Sequence, residues 1–209
     1  YGGGRITRSV PLAHNVHSQG RIELKEPMII AGRLGWNDAL VLIAGYVALD
    51  WASFFHPLHG LNITPWNPAP ALGLVFLLRF GWKAAPPLAL AVLLGEVWVR
   101  DLPAALPLSC AIAAMLALGY GAIGEILRRR MGGLGIFSDR LGMLQWSGIV
   151  VVGTLLTSLA FVLALVALAL VPLEGWREAV GRYWIGDGVG ILVSMPLLWM
   201  LFDERGRAV

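Results

Sequence analysis

Charge is scarce in this sequence: 14% of its 209 residues are charged, against 57% that are hydrophobic, and the mean hydropathy is +0.72. That balance excludes a soluble domain built on one core, which needs far less apolar surface. Cysteine is nearly absent, and the lone Cys110, set in an apolar stretch, excludes a disulfide framework and a cysteine metal site. No H-E-x-x-H, G-x-S-x-G or Walker loop occurs, so no recognisable catalytic site is present and the chain reads as a non-enzyme. The pI near 9.4 does not indicate nucleic acid, because the basic residues form short clusters between apolar runs rather than one face.

Apolar length is what the chain has in abundance, and it points to an all-α integral membrane protein with about six transmembrane helices. Residues 1–36 form a basic tail with Arg5, Arg8, Arg21, Lys25 and Arg33, whose apolar patch Met28 to Ala31 is too short for a signal-peptide core. Residues 37–202 form the membrane domain and 203–209 a short second tail. The expected helices cover Asn37 to Phe55, Pro70 to Trp82, Lys83 to Val99, Pro107 to Leu127, Leu144 to Val171 and Trp184 to Phe202. Asn37 or Asp38 is the expected cap of the first. Leu58 to Pro70, rich in Pro and Asn, is expected as a loop at membrane depth or at the interface, and the short second run is expected either to begin inside the membrane or to gain length from the turn before it. Glu174 to Tyr183 reads as an interfacial segment.

Thirteen of the sixteen Lys and Arg residues fall on one side of this topology, leaving Arg100, Arg177 and Arg182 on the other. By the positive-inside rule both termini are expected in the cytoplasm, and the location is a bacterial cytoplasmic (inner) membrane.

Charged groups within spanning runs are costly and require a partner or a function. Asp50, Glu96 and Asp187 all fall toward the extracytoplasmic half, as does the loop carrying Asn62, Thr64, Trp66 and Asn67. Together with Trp184 they outline a polar pocket for a ligand or partner. The competing structural interpretation pairs Glu96 with Arg100 and Asp187 with Arg182, and assigns Trp66, Trp98, Trp176 and Trp184 to an aromatic belt. Glu125 is expected to pair with Arg128 and Arg129. His56 and His59 are too few for a metal site, so none is assigned. Gly186 and Gly190 form a G-x-x-x-G, and with Gly119, Gly121 and Gly124 they are expected to bring helices into close contact.

Two stretches carry a family resemblance. Ile63-Thr64-Pro65-Trp66-Asn67-Pro68-Ala69-Pro70-Ala71-Leu72-Gly73, followed by Arg79-Phe80-Gly81-Trp82, Pro87 and Leu94-Gly95, resembles the MASE1 family of membrane-associated sensor domains. Tyr183-Trp184-Ile185-Gly186-Asp187-Gly188-Val189-Gly190-Ile191-Leu192, leading to Pro196-Leu197-Leu198, is similar to that family's W-x-G-D-x-x-G-x-L and P-L-L segments. The resemblance implies an input domain of bacterial histidine kinases and cyclic-di-nucleotide enzymes, here without the usual output segment after Phe202 and with fewer spans than is customary.

The leading expectation is therefore a non-catalytic membrane sensory or interaction module, with Asp50, Trp66, Asn67, Glu96, Trp184 and Asp187 as its candidate surface. An accessory structural subunit of a respiratory or light-harvesting complex is the alternative, and a small-solute transporter component the third. The expected partners are the lipid bilayer and other membrane proteins or further copies of the chain. The sequence identifies neither cofactor nor ligand.

Overall fold

The computed structural model describes residues 33–54, 66–100, 105–131, 137 and 139–202. These contain no strand, and the helices are α1 (Trp36–Ser53), α2 (Ala69–Phe80), α3 (Ala85–Trp98), α4 (Leu106–Met131), α5 (Arg140–Ala167) and α6 (Trp176–Phe202), with short 3₁₀ turns at Gly81–Ala84 and Leu173–Gly175. The helices fall on the six apolar runs with shifted ends. Four helical stretches have the length and apolar composition to cross a membrane: Ala69–Trp98, which is divided at the Gly81–Ala84 turn into α2 and α3, Leu106–Arg130, Arg140–Ala167 and Leu173–Phe202. The 18-residue α1 carries Asp38 in its first turn and Asp50 near its end.

Two of the shifts have clear local causes. Helix α1 starts at Trp36 because Asp38, one turn in, accepts a hydrogen bond from the Gly35 amide at 3.0 Å. Helix α6 starts at Trp176 rather than Trp184, so the segment from Trp176 to Tyr183 is helical and continuous with the last apolar run. Glu178 lies in its first turn, where a negative charge suits the helix dipole, and pairs with Arg182 one turn on. Asp187 consequently sits deep within α6 instead of at its start.

Helix α2 is the centre of the molecule. Every one of its 12 residues except Arg79 is buried, and it packs against α1, α4 and α6. At ~1.5 Å per residue it is about 18 Å long, well short of a hydrocarbon layer of ~30 Å. Helix α6 runs alongside α2 in the same direction: Asn67, just before α2, meets Gly186 and Asp187, while Phe76 and Arg79 near its other end meet Phe202. Gly81, at φ 62°, then reverses the chain, so that Leu88 of α3 packs over Gly73 of α2.

Lipid tails are as apolar as leucine, so close contact rather than water exclusion must hold such helices together. The glycines of α4 meet this need: Gly119 faces Thr157 of α5, Gly121 the ring of Trp82, and Gly124 the side chain of Leu77. Between α5 and α6, Trp146 donates to the Met195 sulfur at 3.3 Å and Trp184 donates to the Val151 carbonyl at 3.0 Å. The outward face of α5 shows Leu141, Leu144, Val152, Leu156 and Leu163, as expected of a surface that meets acyl chains.

Candidate functional site: a buried carboxylate between three helices

A helix that starts away from water leaves its first amide hydrogens unpaired, which is costly in an apolar medium. The sequence Asn67-Pro68-Ala69-Pro70 reduces the number of such donors at the start of α2. Pro68 and Pro70 have no amide hydrogen. Ala71 donates to the Pro68 carbonyl at 3.1 Å, and Asn67 donates to the Gly186 carbonyl of α6 at 3.0 Å.

This arrangement presses the Asn67 peptide against α6 at Gly190, where a Cβ would be driven into the Asn67 carbonyl group. The expected helix-packing role of Gly186 and Gly190 therefore takes a specific form: they seat a peptide bond at the head of α2, one by its carbonyl and the other by its lack of a side chain.

Asp187, 2% exposed, faces the same junction. Its Oδ1 accepts from Asn67 Nδ2 at 2.9 Å, and its Oδ2 accepts from the hydroxyl of Tyr120 on α4. The carboxylate thus joins α6, α4 and the residue preceding α2. Its expected partner Arg182 is committed elsewhere, to Glu178. Asn67 is 8% exposed, and its Oδ1 has no hydrogen-bond partner among the described residues.

A second acidic cluster lies nearby. Arg100, just past α3, binds Asp50 of α1 through both terminal nitrogens, at 2.7 and 3.0 Å, and also reaches Glu96 at 3.2 Å. Gly95 makes room for this fork, since a Cβ there would stand 2.6 Å from Asp50 Oδ2. The Glu96–Arg100 pair is the one expected from i,i+4 spacing, but the main partner of Arg100 is Asp50. Charge on Arg100 and Asp50 is felt at Asp187, and Tyr46 and Tyr183 lie within the field of the same carboxylate.

The chain matches no family model, and no curated protein or solved structure is similar to it.

Of the residues singled out in the sequence, Asn67 and Asp187 come into direct contact, and Asp50 and Glu96 meet through Arg100. Trp66 is 44% exposed beside Asn67. Trp184 is used in the α5–α6 contact rather than at the carboxylate. Glu125 binds Arg128 and Arg129 at 2.9 and 2.6 Å. His56, His59, Asn62 and Thr64 lie outside the described residues, among which no three His, Cys, Asp or Glu side chains converge as metal ligands. Tyr120 was absent from the sequence-derived set. Its signal was position: it continues the buried stripe of Ile112, Ala113, Leu116 and Ala117 along α4, so its hydroxyl had to find a partner inside.

Proposed function

We propose that the chain is a multi-pass, non-catalytic membrane sensory module of the MASE1 type, with Asn67, Asp187 and Tyr120 as its recognition centre. The observation that carries this reading is the way α2 links that centre to the end of α6. Asn67 stands at the head of α2, and Arg79 near its foot donates to the Phe202 carbonyl at 3.1 Å, beside the edge-on contact of Phe76 and Phe202. A rigid, enclosed helix that touches Asp187 at one end and the last turn of α6 at the other can carry a shift between them. A ligand moves this strut only if it binds two arrangements of the cluster with different affinity.

In this reading the chain makes six passages through a bacterial inner membrane, one containing only the short α2. Both termini are cytoplasmic, on the side holding most of the Lys and Arg residues. The Phe202 end of α6 then faces the cytoplasm, where an output partner would receive the movement.

Spin labels at Lys83→Cys and Leu201→Cys, in a Cys110→Ser background, test the strut in nanodiscs. Asp187→Asn is expected to shift or broaden the distance distribution between them. An unchanged distribution in a folded variant removes the sensory reading.

A second reading, an accessory subunit of a larger membrane complex, is favoured by the apolar groove between α1 and α3 lined by Leu40, Ala44, Ala48, Trp51, Leu94 and Trp98. Stoichiometric co-migration with larger partners after mild-detergent extraction decides for the subunit, and a small homo-oligomer decides for the sensor.

A further inference from the structure

We infer that the Asn67–Asp187 junction is a binding site for a small primary ammonium ion, an inference that rests on the recognition centre proposed above and names its ligand class. The decisive atom is Asn67 Oδ1, an acceptor without a partner in a residue that is 8% exposed. Rotating the amide does not relieve it, because that would turn the oxygen toward Asp187 Oδ1, where Nδ2 now donates at 2.9 Å. Buried polar atoms are nearly always paired, and an unmet acceptor in an apolar medium is costly.

What is missing is donors. Asp187 receives one hydrogen bond from an amide and one from a phenol, both uncharged groups, and an ionised carboxylate has room for further ones. Arg100 directs its terminal nitrogens to Asp50 and Glu96 instead. The hydroxyls of Thr154 and Ser158 on α5 are turned to their own helix, donating to Val150 and Thr154 carbonyls at 2.8 and 2.7 Å.

A primary ammonium ion is donor-only and carries positive charge, the complement of an unpaired amide oxygen beside a carboxylate. Hard divalent ions want six or more oxygens, which this junction does not present. Tyr120 is bonded to the carboxylate through its hydroxyl and Tyr183 stands one turn before Asp187 on α6, and aromatic faces suit the organic part of an amine. A zwitterionic amino acid would bring its own carboxylate toward Asp187, so simple amines are favoured over amino acids.

The test uses the full chain in nanodiscs, followed by tryptophan fluorescence on heating. Ethylammonium chloride is titrated against sodium chloride, choline chloride and glycine at matched ionic strength, with ethanol as the uncharged analogue. Ethylammonium is expected to raise Tm saturably while the other solutes do not. Asn67→Ala is expected to weaken the response at least tenfold. Tyr120→Phe provides a milder variant with a smaller loss, should the first not fold, and Glu125→Gln, outside the cluster, is expected to respond as the parent does.

Absence of a saturable shift with ethylammonium overturns the inference. So does an equal shift with sodium, choline, glycine or ethanol, or an undiminished response in both Asn67→Ala and Tyr120→Phe. The spin-label distance separates this result from the sensory reading. Ethylammonium binding with no change in distance keeps the site and removes the sensor, whereas a change on Asp187→Asn without ethylammonium binding keeps the sensor and removes the ligand class.

Discussion

Asp50 and Asp187 are equally buried, each 2% exposed, yet the protein satisfies them in opposite ways. Asp50 faces a guanidinium that grips both its oxygens, with Glu96 sharing the same cation. Among the described residues, Asp187 has only the neutral donors of Asn67 and Tyr120. Two carboxylates bridged by a shared guanidinium are suited to holding helices α1 and α3 in place. A carboxylate held by neutral groups beside an unpaired amide oxygen is suited to accepting something more.

The comparison is tested most severely at Gly190. Gly190→Ala drives a methyl group into the Asn67 peptide, a backbone collision at the head of α2 that should exceed the ~3 kcal/mol typical of overpacking. Loss of monodisperse protein on detergent extraction is the expected result. Gly188→Ala, whose Cβ meets nothing closer than the Thr154 hydroxyl at 3.8 Å, should extract normally.

Arg100→Ala comes next, because it strands two carboxylates. The expected cost is about 3–5 kcal/mol, read as a fall in Tm, with most of it recovered when Asp50→Leu, Glu96→Gln and Arg100→Met are combined. Asp187→Asn should cost less, about 1–3 kcal/mol, because it removes a charge that no cation balances and misdirects one hydrogen bond. If Asp187→Asn proves more damaging than Arg100→Ala, the contrast between the clusters is wrong. The smallest effect has the opposite sign. Ala169 closes α5 at φ 56°, a conformation natural to glycine, so Ala169→Gly should raise stability by about 0.5–1 kcal/mol and leave both clusters untouched.

How much of this was legible in the sequence differed between the helices and the site. Apolar runs punctuated by Pro57, Pro86-Pro87, Arg128-Arg129-Arg130 and Pro172 located all six helices, because length and helix-stopping residues are local properties. The start of α6 was misjudged because the charges of Glu178 and Arg182 interrupt the apolar run, although at i,i+4 spacing on an exposed face they support a helix. The role of Gly190 was legible only as close packing, since nothing local shows that its neighbour is a peptide bond from residue 67. Tyr120 was missed for a more general reason. In a helix whose outside and inside are both apolar, hydrophobic periodicity no longer distinguishes the two. The inner face of α4 is marked instead by Ser109, Ala113, Ala117, Gly121 and Gly124, and a tyrosine on that stripe is the residue to notice.

The enclosure of α2 also sets an order of assembly. The ribosome delivers Asn67 120 residues before Asp187, so for most of synthesis the short helix has no α6 to lie against and its leading peptide has no glycine seat. Completion of the last helix is thus the event that closes the interior, and a nascent chain stopped short of it would present an unfinished polar wound to quality-control proteases.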